Sequence, residues 1–309
     1  MVAVGIRIQY FASATEQHLG IAVLVAPTLR DHMVQFAQVQ HYPPSVLAER
    51  AQYFPVPGAH LYTVLHEVEV PVARVLLIGS FASERHTSYR PWLQWARYLA
   101  ARRIEVLRFD YRGVGESTGV FMEMTFDCWV DDVERLSAWL RKREGEAPLL
   151  VHGLEMGGLL AAKAFHNGEA DALLLWSAPV NANKVLRSTL QRWMAPQQLR
   201  KREEDRRPPS HYFRLLDAGR SVEVDGYEWS AELWRQSLSF ELPATMIPPN
   251  DPADAYRRPV RIVQLGKSAA PLVLGGLLQG FEEGKDFSWL FAPNYEWITS
   301  RLGIRLETV

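Results

Sequence analysis

Short apolar runs alternate with segments of helical periodicity over most of the chain, from about Leu61 onward. The runs have strand length and are closed by turn residues, as Arg74–Ile78 is closed by Gly79. Between them, apolar residues recur every three or four positions, which predicts helices that pack one face on a sheet. This alternation predicts a mostly parallel central sheet with helices on both faces, an α/β fold. The predicted strands are Leu61–Val70, Arg74–Ile78, Glu105–Phe109, Leu149–His152, Ala172–Trp176 and Val260–Leu265, and the predicted helices are Trp92–Arg103, Thr125–Arg143, Gly157–His166 and Pro293–Leu302.

The alternation is interrupted between Val180 and Pro249. This stretch holds a mixed-charge run, Leu199–Arg207, which is typical of a solvated helix face or a loop, and then an amphipathic segment that contains tryptophan. An insertion at this point of the chain predicts a cap over the mouth of a pocket. Residues 1–50 also depart from the pattern, and their apolar pieces Val2–Phe11 and Ile21–Leu29 predict either an extra hairpin or an interaction arm. We therefore expect an N-terminal extension (1–50), a core (51–179 and 250–309) and a cap (180–249).

The composition is that of an ordinary globular protein: 309 residues, 48% of them hydrophobic and 22% charged. A formal net charge of −1 gives no electrostatic basis for binding nucleic acid. No apolar run approaches the roughly 18 residues of a membrane span, and no basic segment precedes an apolar one at the N-terminus. The single cysteine, Cys128, excludes an intrachain disulfide and is more typical of a half-buried thiol than of a reactive one. We expect a soluble, cytoplasmic protein that does not span a membrane.

No metal or cofactor is expected from the sequence. Histidine and cysteine nowhere have the spacing of metal ligands. Gly113, Gly115 and Gly119 form G-x-G-x-x-x-G, which differs from the dinucleotide-binding fingerprint G-x-G-x-x-G.

The segment Leu149–Gly158 predicts a buried strand, a tight turn and a helix. Gly153 and Gly157 stand where the G-x-S-x-G nucleophile elbow needs glycine, because the turn is sharp and the helix passes close to the strand. Glu155 occupies the apex, where that motif carries its nucleophilic serine. The local shape for acyl transfer is therefore present without the attacking hydroxyl.

The other two members of a serine-type triad are also missing from their expected places. The last of the nine histidines is His211, inside the predicted cap, so no imidazole follows the final strand. The turns that would carry the acid read Ser177-Ala-Pro179 and Gly266-Lys-Ser268. This joint loss predicts that the protein has no serine-type esterase activity.

Glu155 has two interpretations. As a carboxylate nucleophile it would need a base to activate water, and the late histidine is absent. As a structural group it would be ionised and held by backbone N–H groups at the start of the helix, which would fill its own oxyanion hole. The second interpretation predicts that Glu155→Gln lowers the thermal stability modestly.

Several neighbouring residues are candidates beside Glu155. If the elbow keeps its usual geometry, the N–H of Met156 and an N–H near Phe81 form the oxyanion-hole-like donors. Glu84 and His86 lie on the loop expected at that hole, where they have either a functional role or a role in fixing the loop. His152 ends the strand before the elbow and is predicted to pack in the core rather than to act as a base.

The chain resembles the α/β-hydrolase superfamily from about Ala51 to Leu302, on the combination of Phe109–Ser117 with Gly153–Gly157. It resembles more closely the exosortase-associated hydrolase 2 branch, whose elbow lacks serine. The matching segments are Ser80–Glu84, Gly153–Leu160, Leu173–Asn181 and Glu223–Tyr227. In that branch a motif like Asp286-Phe-Ser-Trp289 replaces the late histidine, so the resemblance implies a pocket position for Trp289, with Glu84.

The resemblance implies an α/β-hydrolase fold with an inserted cap, and two hypotheses for function. One is a non-catalytic protein that binds a small acyl or glycan-related ligand, or a protein partner, in exopolysaccharide or cell-envelope biology. The other is an active hydrolase of ester or related acyl bonds with an unusual catalytic set, Glu155 with His86 or His152.

Overall fold

The computed structural model describes residues 9–10, 19–25, 48–200, 202–244, 258–266 and 287–304. Its strands are β1 Gln9–Tyr10, β2 Leu19–Val25, β3 Ala48–Val56, β4 Ala59–Glu67, β5 Ala73–Ile78, β6 Ile104–Phe109, β7 Leu149–Leu154, β8 Ala172–Trp176, β9 Val222–Val224, β10 Tyr227–Trp229 and β11 Val260–Gly266. Its helices are α1 Arg85–Ala100, α2 Phe126–Arg141, α3 Met156–His166, α4 Ala182–Leu199, α5 Pro209–Asp217, α6 Ala231–Ser237 and α7 Ser288–Arg301.

Within these residues one sheet has the strand order β1-β2-β11-β8-β7-β5-β6-β4-β3. The strands from β2 to β6 in that order run parallel to their neighbours. At the two edges, β1 pairs antiparallel with β2, and β4 and β3 continue antiparallel from β6. The predicted mostly parallel sheet is confirmed.

Helices cover both faces of the sheet. On β5, Val75 and Leu77 join an apolar cluster with residues of α1 and α7. Leu76 and Ile78 point the other way and join a cluster with residues of α2 and α3. Because both faces are buried, the central strands are apolar throughout, which is why they appear in the sequence as short continuous runs.

Two departures from the predicted elements have local causes. Helix α1 begins at Arg85 rather than Trp92, because its first turns are polar and carry no periodic signal, and Pro91 lies inside it. Strand β3 crosses the predicted boundary at residue 50, and its mostly exposed edge position gives it no apolar run.

The predicted N-terminal extension contributes to the sheet. Strand β2 lies parallel to β11 along Val260–Gly266, and β1 pairs antiparallel with β2. This pairing matches the hairpin alternative for these apolar pieces and not the interaction arm. The limits proposed for extension, core and cap remain predictions.

The segment predicted to be a cap contains α4, α5, the β9–β10 ribbon and α6. Its two ends lie side by side: the Leu242 N–H donates to the Val180 carbonyl at 2.8 Å, and the Ala182 N–H donates to the Phe240 carbonyl at 2.9 Å. Backbone hydrogen bonds therefore join the first residues of the predicted cap to residues near its end. No helix among the described residues is long and apolar enough to cross a bilayer.

Candidate ligand site at the elbow

Glu155 lies at the apex of a strained turn between β7 and α3. Its backbone has φ 52° and ψ −125°, a conformation that residues with side chains seldom adopt. The Glu155 N–H donates to the Trp176 carbonyl at 2.9 Å, which fixes the turn against β8. A Cβ on Gly153 would overlap the Gly158 backbone, and a Cβ on Gly157 would overlap the Gly79 carbonyl oxygen. The close strand–helix crossing predicted from the two glycines is confirmed.

The Glu155 carboxyl is buried, with 6% of the residue exposed. Burial is the main cause that raises the pKa of Glu155 to about 8, and the neighbouring Glu84 carboxylate raises it further. The Ser80 hydroxyl and the Arg192 guanidinium act in the opposite direction. Burial and the nearby Glu84 therefore favour the neutral form of the Glu155 carboxyl at pH 7.

The prediction that Glu155 is ionised and held by backbone N–H groups is wrong. Its side chain makes no capping hydrogen bond to α3, and within the described part of the chain Oε2 has no hydrogen-bond partner. A helix N-terminus favours a carboxylate by only about 0.3–1 kcal/mol, which is less than the cost of removing the charge from water. The elbow is therefore not plugged by its own carboxylate.

Glu84 binds helix α4 to the loop after β5. Its Oε1 accepts a hydrogen bond from the Arg192 Nη2 at 2.9 Å and one from the Thr189 Oγ1 at 3.2 Å, and both donors lie on α4. Arg192 also donates to the Thr189 hydroxyl at 3.2 Å. The site thus brings two glutamates and an arginine together from three separate parts of the chain.

No sequence signal predicted Ser80, Thr189 or Arg192 as parts of this site. The two α4 residues are more than a hundred positions from Glu84 and lie in a stretch for which the sequence predicted no helix. Only the packing of cap on core brings them together.

The predicted oxyanion-hole-like donors flank the elbow. Met156 is the first residue of α3, and Phe81 follows Ser80 on the loop after β5. Among the described residues neither N–H donates to a backbone carbonyl. The Phe81 ring is buried against Phe121 and Trp129. Their role as donors to a ligand remains a prediction.

Of the two histidine candidates, His152 is enclosed in the core. It accepts a hydrogen bond from the Trp95 indole at 3.0 Å and packs edge-on against Trp92 and Trp176. Burial holds the pKa of His152 well below its usual range, so this imidazole stays neutral. The predicted core role is confirmed, and the alternative of His152 as a catalytic base is not supported.

His86 and Trp289 do not share these contacts. His86 is exposed in the first turn of α1. Trp289 is half-buried and packs against the apolar cluster between α1 and α7. The catalytic role predicted for His86 and the pocket role predicted for Trp289 remain predictions.

The turn after β8, an expected place for a catalytic acid, has a structural role. Ser177 donates its N–H to the Val263 carbonyl at 2.7 Å, and its Oγ accepts from the Leu265 N–H at 2.9 Å. These bonds join β8 to β11. The other expected turn, at Gly266–Ser268, lies outside the described residues beyond Gly266.

An open cleft of about 850 Å³ lies at the opposite end of the sheet, at the amino ends of β5 and β6. Buried Arg74 pairs there with Glu105 at 3.1 Å, and Arg143 pairs with Glu105 at 2.9 Å. Arg74 also donates to the Glu144 and Gly145 carbonyls. Because Arg74, Glu105 and Arg143 are paired with one another, none of these three side chains offers an unpaired charge to a ligand in the cleft. Among the described residues no group of three or more His, Cys, Asp or Glu side chains is arranged to hold a metal ion.

Comparison with known proteins agrees with this architecture. A family model described as serine aminopeptidase, S33 (Hydrolase_4) matches residues 82–216, less than half of the chain. No curated protein matches the sequence. Among solved structures, the chain is similar to the α/β hydrolase GrgF from Penicillium sp. sh18, with 12% identity and a TM-score of 0.56 over 83% of this chain and 100% of that one.

Two further structures are similar. Est1E from Butyrivibrio proteoclasticus shares 15% identity at a TM-score of 0.53, over 82% of this chain and 99% of that one. XC6422 from Xanthomonas campestris, an α/β serine hydrolase without a lid, shares 23% identity at a TM-score of 0.38, and the match covers 43% of this chain and 62% of XC6422. The chain thus spans less than two thirds of the length of XC6422. Sheet order, elbow and structural neighbours together define an α/β-hydrolase fold.

Proposed function

We propose that this hydrolase-fold protein performs no acyl transfer and binds a small acyl or glycan-related ligand, or a protein partner, at the elbow. One observation carries the proposal: the apex holds a buried glutamate, Glu155, in place of a nucleophilic hydroxyl, and burial raises the pKa of this carboxyl to about 8. A protonated carboxyl is a poor nucleophile, so the raised pKa of Glu155 disfavours attack by this group.

The missing base supports the same conclusion. No histidine follows His211 in the sequence, and the buried His152 ring faces tryptophan rather than the elbow acid. A role in exopolysaccharide or cell-envelope biology, in the cytoplasm, is part of the proposal and is supported by the resemblance to the exosortase-associated branch alone.

Ligand binding can be tested with two acyl probes. Est1E has been solved with ferulic acid bound, which makes ferulic acid a suitable aromatic probe beside octanoate. We expect saturable quenching of tryptophan fluorescence by one of them, weakened in Glu155→Ala and unchanged in the exposed-site control Glu116→Gln. Linear, unsaturable quenching by both probes would argue against an acyl ligand.

The purified protein is expected to hydrolyse p-nitrophenyl acetate and butyrate no faster than the uncatalysed rate. Both the hydroxyl nucleophile and the late imidazole are absent, and each is needed for turnover. The release of p-nitrophenol by wild type and by Glu155→Gln is the measurement. Turnover that is present in wild type and lost in Glu155→Gln would contradict the proposal.

That last outcome would support a second function, an active ester hydrolase that uses the Glu84–Glu155 pair. The pair places a neutral acid beside a carboxylate, the arrangement from which acid–base catalysis is built. Such an enzyme would lose activity as the pH rises through about 8, because Glu155 would lose its proton. Its rate would also fall in Glu84→Gln.

Introducing the missing hydroxyl should not create an esterase. Glu155→Ser supplies a nucleophile without a base, and base-assisted proton transfer is worth about 10²–10⁴-fold. We expect no acylation burst with p-nitrophenyl butyrate, and equal rates in Glu155→Ser and Glu155→Ala. A burst of one equivalent in the serine variant alone would reveal a hidden base, with exposed His86 the first candidate.

A further inference from the structure

We propose that the free edge of β3 pairs with β3 of a second copy of this chain, about a two-fold axis that passes Gln52. Among the described residues β3 is the outermost strand of the sheet on the β4 side. Strands β5, β6 and β4 lie between it and β7, which leads into the elbow. The surface is therefore separate from the elbow, and this pairing does not depend on the proposed function.

Half of the backbone groups of β3 point away from the sheet. On β4, the even-numbered residues direct theirs toward β6 and the loop after it: the Tyr62 carbonyl accepts from the Asp110 N–H at 2.9 Å, and the Tyr62 N–H donates to the Ser117 hydroxyl at 2.8 Å. The odd-numbered residues of β4 therefore bond to β3, where they face even-numbered residues, as Thr63 faces Gln52. The odd-numbered residues of β3 are left with their N–H and carbonyl groups at the free edge, and these are Glu49, Ala51, Tyr53 and Pro55, the last with a carbonyl only.

The middle of this edge lacks the features that usually keep a second strand away. Sheet edges are commonly protected by short strands, bulges, lysine or proline. Strand β3 is nine residues long and pairs with β4 one residue to one, without a bulge. It contains no lysine, and Pro55 stands next to its last residue. Ala51 and Tyr53 are exposed, Tyr53 by 55%, so another strand can reach the centre of the edge.

A second β3 fits the edge in an antiparallel register centred on Gln52. Ala51 of one copy then faces Tyr53 of the other, so that a small side chain lies opposite a large one. Arg50 faces Phe54 of the second copy, whose ring can receive the guanidinium in a cation–π contact. The odd-numbered residues also face one another in this register, and their free N–H and carbonyl groups form about six hydrogen bonds between the copies. The strand is therefore complementary to itself.

The charges of β3 favour the same register. The strand carries one acid and one base, Glu49 and Arg50, and Glu49 is already paired with Arg97 at 2.6 Å. With the axis at Gln52, the two Arg50 side chains are about 14 Å apart along the strands, since a strand rises roughly 3.4 Å per residue. That separation exceeds the screening length of about 8 Å at physiological ionic strength. An axis at Arg50 would instead set the two guanidinium groups opposite each other, which disfavours that register.

Sedimentation velocity of the full chain, over a series from nanomolar to high micromolar concentration, tests the pairing. We expect wild type to shift from the mass of one chain to that of two as the concentration rises. Ala51→Lys should weaken dimerisation at least about tenfold, because it sets a long charged side chain opposite Tyr53 and brings the two lysines close together. Val120→Lys, at an exposed position outside β3, is the control and should dimerise as wild type does. Equal urea midpoints for the three proteins will show that the fold is unchanged.

Disulfide cross-linking tests the register, in a chain whose single cysteine is replaced by Cys128→Ser. Gln52→Cys places two thiols across the axis at a Cα separation of about 4.5 Å, within the range of a disulfide. Arg50→Cys, on the same face of the same strand, is the control, because its two copies lie too far apart to join. On oxidation we expect a covalent dimer from Gln52→Cys and none from Arg50→Cys. The pairing is refuted if wild type stays monomeric throughout the series, if Ala51→Lys dimerises as wild type does, or if the two cysteine variants cross-link equally.

Discussion

Glu155→Gln should stabilise the protein by about 3 kcal/mol at pH 7, and by more at higher pH. This free-energy difference follows from a pKa of about 8 for Glu155 in the folded state and an ordinary glutamate pKa in the unfolded chain, at roughly 1.4 kcal/mol per pH unit. Glutamine is nearly isosteric with the neutral acid and can donate to Glu84. The substitution therefore removes the loss of stability that comes from keeping Glu155 protonated in the folded protein, and it keeps a hydrogen-bond donor for Glu84.

The sign follows from proton binding. Between about pH 4.5 and 8 the folded chain keeps the Glu155 proton and the unfolded chain loses it, so wild-type stability falls as the pH rises through this window. Glutamine does not titrate, so the glutamine variant does not show this fall in stability with pH. The two proteins should be about equally stable near pH 4.5, diverge steadily up to about pH 8, and keep a constant difference above that pH.

Urea denaturation at pH 5, 7 and 8.5 measures this difference. Glu116→Gln, exposed to solvent, is the matched control and should track wild type at all three values. Equal stability of wild type and Glu155→Gln at pH 8.5, or a less stable glutamine variant, would mean that Glu155 is ionised in the folded protein at neutral pH.

Gly157→Ala should be the most damaging conservative change at the elbow, costing about 3 kcal/mol or more. A Cβ at Gly157 would overlap the carbonyl oxygens of Gly79 and Ile78. Both are backbone atoms at the end of a fully buried strand, so neither can move aside without distorting β5. The cost is steric, because Gly157 is not among the glycines with positive φ.

Gly79→Ala is the control, because its Cβ would meet the Trp92 ring at an ordinary contact distance of 3.5 Å. Midpoints of urea denaturation for the two variants should differ clearly, with Gly79→Ala close to wild type. If Gly157→Ala is also within about 1 kcal/mol of wild type, the helix passes the strand at a larger distance than the structure shows.

The sequence predicted those features that depend on local pattern. Continuous apolar runs located the buried strands, and Gly153 with Gly157 located the elbow. Helix α3 can pass β7 and β5 this closely only where these positions carry no Cβ atom. Edge strand β3 was missed because its exposed surface leaves no apolar run. The polar first turns of α1 were missed for a similar reason.

The charge state of Glu155 could not be obtained in the same way. Helix polarity is a local property and favours the carboxylate, whereas burial and the proximity of Glu84 are tertiary properties that favour the acid. Arg192 and Thr189 enter only when the cap is folded onto the core. In this site the long-range effects are larger than the local one, and sequence periodicity contains no information about them.

The backbone pairing of Val180 with Leu242 holds together the two ends of the segment between them. Because the chain leaves and returns through paired backbone segments, the ends of the insertion stay together whatever lies between them. The entropic cost of closing an inserted segment grows only slowly with the length of the segment. A segment of different length between Val180 and Leu242 could therefore keep this backbone pairing.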